Sequence, residues 1–154
     1  MVLHLDDIYT KVLQLGGAIA FADNSLEPRE ALPLLGDEQE KLIRALIRLH
    51  MPAVAHALHV WIEDVAEEYW AGSDERIVYT LRLSRLFPLS LLSQVAEAME
   101  NMVAYRVLAE LYRSTDEVLC TRYVSLADEY AHKGSALMRG RLAGSYRLTP
   151  HYKA

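Results

Sequence analysis

Apolar residues recur along this chain with a period near 3.6 in most segments and near 2 in one, and the switches between them mark its elements. Asp6-Asp7 opens a first helical pattern. Ile8, Val12 and Leu15 fall on one stripe, and Gly16-Gly17 is placed to stop it. From Ala18 to Gly36 the pattern breaks down into a long N-terminal loop, punctuated by Asn24-Ser25, Pro28, Pro33 and Gly36. Loops of that length in small domains often carry binding function, and Phe21, Leu26, Leu32, Leu34 and Leu35 predict that this one lies against its own core or a partner. Asp37 with Glu40 forms an acidic capping box. A second helical pattern then runs to about Trp70 through Leu42, Leu46, Leu49, Val54, Leu58, Trp61 and Val65. Pro52 removes a backbone donor inside it and predicts a kink or break.

Residues 76–84 change period. Ile77, Tyr79, Leu81 and Leu83 alternate with Arg76, Thr80, Arg82 and Ser84, as in a half-buried strand. No second convincing strand is evident, so this segment is expected to pair across subunits, to lie on a partner, or to be extended loop or helix. Pro88 and Ser90 open a third helix to about Arg113, with Leu92, Val95, Met99, Val103 and Leu111 facing inward. Ser114-Thr115-Asp116-Glu117 then reads as a capping box after a minimal turn, which makes the third and fourth helices an antiparallel hairpin. The fourth helix carries Leu119, Tyr123, Leu126, Tyr130 and Leu137 on one face, and Gly140 and Gly144 predict fraying. The expected fold is all-α: a small helical bundle on a C-terminal antiparallel hairpin, with one short extended segment. Residues 1–144 form the helical domain and residues 145–154 an extended C-terminal arm.

At 154 residues, with 52% hydrophobic and 24% charged positions, the chain suits one domain with a proper core. Its net charge of −5 argues against broad phosphate-driven nucleic-acid binding. The average conceals a polarity, however. The segment from Lys133 to Ala154 holds Lys133, Arg139, Arg141, Arg147 and Lys153 without an acid, whereas Met1 to Glu40 is mostly acidic. Such opposed ends can steer an association between unlike surfaces. The single cysteine, Cys120, excludes an internal disulfide and fits a small packing residue. No basic segment followed by an apolar stretch opens the sequence, so no secretion signal is expected. Met51–Ile62 is apolar but too short to span a bilayer, and a soluble protein is expected.

Two constellations could carry chemistry. His56, His59 and Glu63 share a helix face, with His50 a turn and a half earlier, and could hold a divalent ion; histidines on an amphipathic helix are more often packed or solvated. Glu129 and His132 form one ExxH pair, as in ferritin-like di-iron bundles. Those need two such pairs and two further glutamates; Glu97, Glu100 and Glu110 do not complete the set. No G-x-S-x-G elbow and no phosphate-cradling glycine loop occurs. The acidic patch Glu63, Asp64, Glu67 and Glu68 is expected on a solvated helix face, or against a basic partner. Neither a catalytic residue nor a cofactor is therefore assigned. The aromatic and basic tail (Tyr146, Arg147, His151, Tyr152 and Lys153, following Arg139 and Arg141) fits either a disordered terminus or an arm that orders on a partner, since tyrosine and arginine are enriched at interfaces.

The stretch from Phe87 to Leu142 resembles the C-terminal helical hairpin of tailed-phage head-to-tail adaptor (connector) proteins. The matching pattern is Phe87-Pro88, the helix AYRVLAELYRSTD from Ala104 to Asp116, and the return helix SLADEYAHKGSALMR from Ser125 to Arg139 ending in a basic segment. More weakly, Leu49 to Glu67 resembles their second helix and LDDIYTKVLQLGG their first. Between Trp70 and Phe87 the chain has one strand-like segment where those proteins often carry a larger insertion. The resemblance implies a non-enzymatic virion subunit at the head-tail junction. It would form a homo-oligomer ring, a dodecamer in that family, between the portal protein and the next tail component, and Arg139 to Ala154 would dock on the portal. A metal-binding four-helix protein using Glu129, His132, His56, His59 and Glu63, and a small helical regulator or immunity protein, are the rival readings.

Overall fold

The structure, a computed structural model, describes the backbone of residues 1–22, 37–62, 67–71, 76–85 and 87–145 and, within these, the side chains of 1–16, 39–62, 79–85 and 87–137. A short strand β1 (Val2–His4) leads directly into helix α1 (Leu5–Ala22). Asp6 and Asp7 sit in the first turn, where carboxylates complement the helix dipole. Leu5, Ile8 and Val12 are buried on one side. The helix does not stop at Gly16-Gly17 but continues to Ala22. A glycine inside a helix costs only about 1 kcal/mol relative to alanine, which tertiary packing readily overrides. Gly16 is itself buried.

Helix α2 (Asp37–His50) is tied to α1 through Arg44, whose guanidinium donates to Asp6 at 2.7 Å and Glu40 at 2.8 Å and lies 4.9 Å from the Tyr9 ring centroid. The chain breaks where Pro52 was expected to break it: Pro52 starts a new helix, α3 (Pro52–Ala57), where a missing donor costs nothing. The side of α2 that packs is set by Ile43 and Ile47, continued by Met51, Val54 and Leu58, all buried. Leu42 and Leu49 are 50% and 66% exposed, contrary to a core stripe running through them.

The helical pattern expected to reach Trp70 ends earlier. A 3-10 turn (His59–Trp61) buries Trp61, and Ile62 is already extended and bridged to Leu83. Strands β2 (Glu67–Ala71) and β3 (Arg76–Thr80) form an antiparallel hairpin with Glu67 opposite Thr80 and Ala71 opposite Arg76. Glu67 and Glu68 thus belong to a strand rather than to an acidic helix face; Glu63 and Asp64 lie outside the described residues. The strand expected to seek a partner outside the chain has two inside it. The sheet order is β1-β3-β2, and Leu3 lies opposite Tyr79 with both side chains buried. Met1 and Leu81 extend the β1–β3 ladder with bonds in both directions, at 2.7 and 2.8 Å.

Buried Phe87, the extended Pro88 and a 3-10 turn at Leu89–Leu91 feed helix α4 (Leu92–Tyr112). Val95, Ala98, Met99, all of Met102–Tyr105 and all of Val107–Ala109 are buried, and Glu100, Asn101 and Arg106 between them are only partly accessible, so no position in the middle turns of α4 is fully exposed. It is the central helix, with α1, α2 and α5 (Glu117–Ser145) packed around it. Asp116 caps α5: its carboxylate accepts the Leu119 N–H at 3.0 Å, the role expected of Ser114 in a capping box two residues earlier. The all-α class and the C-terminal antiparallel hairpin are therefore present, with the sheet a minor addition against α1 and α4. The expected irregular loop lies outside the described residues from 23 to 36. The C-terminal arm lies outside them from 146, and α5 runs through Gly140 and Gly144 to Ser145.

Candidate functional site

The α4–α5 hairpin is held by a ladder of tyrosines. Tyr105 and Tyr112 are two turns apart on α4, and Tyr123 and Tyr130 two turns apart on α5, so an antiparallel pair interleaves them. The ring centroids follow in the order Tyr112, Tyr123, Tyr105, Tyr130 at 5.6, 6.1 and 5.5 Å, and the Lys133 ammonium closes the series 5.2 Å from the Tyr130 centroid. Rings at these spacings contribute about 0.5–1.5 kcal/mol per pair beyond buried area. Tyr123 is fully buried, and its hydroxyl has no hydrogen-bond partner among the described residues. Burial first, then the neighbouring Tyr112, pushes its pKa up to about 12. The raised pKa keeps Tyr123 neutral at ordinary pH, and its ring packs between the two helices.

Further along the hairpin the helices approach more closely. A Cβ added at Gly134 would collide with the Met99 methyl and come within 3.6 Å of Ala98 Cβ. Counting back from that contact, Gly140-Arg141 is level with Leu92, the first residue of α4. The last turn of α5, a helix of 29 residues against 21, therefore continues past its neighbour. Arg139 and Arg141 sit on this end of the helix, and their side chains lie outside the described residues. Tyr146, Arg147, His151, Tyr152 and Lys153, the remaining residues expected to bind a partner, also lie outside them.

The histidine stripe divides. His56 and His59 are neighbours on the surface, with ring centroids 6.0 Å apart and stacked, and His59 Nδ1 lies 2.9 Å from the His56 carbonyl oxygen. Glu63 lies outside the described residues. His50 is elsewhere: half-buried at the end of α2, it has an Nε2 that is enclosed without a partner among the described residues. Burial first, then the positive charge of Arg106, lowers its pKa, with Glu110 opposing and Arg113 adding to the effect. Glu129 and His132 are both exposed, on either side of the half-buried Tyr130. A di-iron site needs inward-projecting carboxylates and imidazoles, and these two side chains do not supply them. No group of three or more potential metal ligands gathers among the described residues. Cys120 is half-buried. Among the described residues no helix is long and apolar enough to cross a membrane.

The features that sequence patterning missed are exposed apolar positions on two helices. Besides Leu42 and Leu49 of α2, Val118 and Val124 of α5 are 78% and 47% exposed. On α2 the signal was available: isoleucines at 43 and 47 continue into Met51 and Val54, a stripe offset from the leucines. Compared with protein-family models, with curated proteins and with solved structures, the chain matches none.

Proposed function

We propose that this chain is a non-enzymatic structural adaptor. It is a ring-forming subunit at the head-tail junction of a tailed phage, set between the portal protein and the next tail component. The observation that supports this reading best is the long outer helix of the hairpin: α5 runs beyond the start of α4 and leads into Arg139, Arg141 and the aromatic-basic segment that follows. A rigid helix pinned by a tyrosine ladder and a close glycine contact is a suitable mount for an arm that must reach a larger assembly. Tyrosine supplies rigid contact area and arginine directed donors, the side chains that dominate binding at interfaces. An arm that orders only on its partner carries an entropic cost, offset by the surface it covers.

The resemblance of Phe87–Leu142 to adaptor hairpins supplies the identity of the partner, and the opposed charge of the two ends suits heterologous ring contacts. The test is a variant ending at Gly144, compared with the full chain for binding to the portal ring of the same virus. Unchanged helicity and melting temperature with loss of portal binding is the expected result. Retained binding without the arm refutes the docking role, and no binding by the full chain refutes the adaptor reading.

A further inference from the structure

Two exposed stripes on different helices have the same spacing and opposite charge. Every exposed position of α2 from Gln39 to His50 (Lys41, Leu42, Ala45, Arg48, Leu49) lies on one face, at intervals of one, three, three and one. That face holds two leucines and two cations and no acid. On α5, Glu117, Val118, Thr121, Val124, Ser125 and Asp128 are all exposed and follow the same intervals, with one further step. That face holds two valines and two acids, of which Asp128 also lies 3.9 Å from Arg106 of its own chain. His132 continues it, and Arg122, Glu129 and Lys133 lie on the flank beyond it. Stripes of this spacing are the seams along which helices pair.

We propose that these two faces are the two sides of an interface between copies of this chain, the α2 stripe of one copy seating antiparallel on the α5 stripe of the next. In that orientation Lys41 falls at the Asp128 end and Arg48 at the Glu117 end, while Leu42 and Leu49 lie against Val124 and Val118. The acids are eleven residues apart and the cations seven, a difference of about 6 Å along the axis that the long lysine and arginine side chains span. A parallel seam would leave Arg48 against Val124. Both helices pack on α4, so one copy cannot bring its own stripes together without unpacking from it, and the contact is made between copies. Used once per pair of copies, as a ring requires, it is head-to-tail and closes into rings or runs on as filaments; used twice it closes a two-fold dimer. One helix-on-helix seam falls short of the roughly 1,600 Å² of a standard interface, so association depends on concentration.

The partner is a second copy of this chain because it carries the matching spacing, apolar residues and opposite charge. The proposal deepens the reading of the chain as a ring subunit, and the two fail separately: portal docking through the arm does not require α2 or α5 surface residues. The experiment uses sedimentation equilibrium on the full chain and two charge-reversed variants, Lys41→Glu with Arg48→Glu, and Glu117→Lys with Asp128→Lys. The wild type associates with rising concentration. Each variant alone, with both stripes now of one sign, loses association about tenfold or more in Kd. An equimolar mixture of the two recovers it, because each variant's reversed stripe meets the other's native one. All changes are at exposed positions, and recovery in the mixture shows that both variants fold. A wild type that stays monomeric to about 1 mM overturns the proposal, as do variants that associate normally alone or a mixture that stays apart.

Discussion

Gly134→Ala measures how tightly the hairpin is closed. Two effects oppose each other. Alanine is the better helix former by about 1 kcal/mol, which on an open surface would stabilise α5. Against it, the new methyl collides with the Met99 methyl and meets Ala98 at 3.6 Å. The colliding atom is the free end of the Met99 side chain, so the cost depends on how far that methyl can turn aside beside the completely buried Val95, Met102 and Val103. Overpacking of a closed core costs about 1–3 kcal/mol, so the net expectation is a loss of about 1 kcal/mol. Gly134→Val, bulkier and with a smaller propensity gain, should lose more. Met99→Ala removes the colliding group at a cost of about 2–5 kcal/mol alone. Combined with Gly134→Ala it should cost less than the sum, by about 1 kcal/mol, because the added methyl enters the space vacated. Urea unfolding followed by circular dichroism gives all four values, with an unchanged slope as the check that the native state is intact. A Gly134→Ala variant more stable than wild type by the full propensity gain would show that the Met99 methyl turns aside without cost and would refute a tightly closed hairpin at this point.

Tyr123→Phe should leave stability unchanged or raise it by about 1 kcal/mol, because the buried hydroxyl has no partner among the described residues; a loss beyond about 1 kcal/mol in urea unfolding would show that it has one. His50 should make the fold acid-sensitive. Its folded pKa is below the ordinary 6.5, so as pH falls through that value the unfolded chain takes up a proton first and stability declines, until the folded pKa is also passed. Unfolding free energies compared at about pH 7.5 and 5.5 should differ less in His50→Gln, and an equal difference would remove His50 as the cause. Asp116→Ala should lose about 1 kcal/mol of cap energy while Ser114→Ala changes little; melting curves showing the reverse ranking would return the cap to the sequence-expected position.

The hairpin was legible because its determinants are local. A minimal turn with capping residues, Ser114-Thr115-Asp116-Glu117, between two long helical patterns leaves few alternatives, whereas the tyrosines of α4 that join the ladder lay outside the expected inward stripe. The break at Pro52 was legible for the same reason. The packed side of α2 was not, since Leu42, Leu46 and Leu49 and the set Ile43, Ile47, Met51 are both valid helical stripes, and only packing against α1 and α4 decides between them. Strand β2 was hidden because its pairing with β3 and β1 is a non-local choice, and Glu67 to Trp70 also fits a helix that has just begun upstream. Gly16-Gly17 reads locally as a stop, but the helix continues against α4. Of the candidate site, composition identified the basic, aromatic segment, while the exposed stripes of α2 and α5 became visible only once burial had assigned every neighbouring position.

The central claim is that the chain works as a stoichiometric structural partner through its C-terminal segment. Native mass spectrometry of the full chain mixed with the portal ring of the same virus tests this most directly. The account predicts a metal-free complex carrying one copy of the chain per portal subunit, absent for the variant ending at Gly144. A portal ring left bare by the full chain, or a chain that flies as a metal-bearing monomer or dimer, would contradict it.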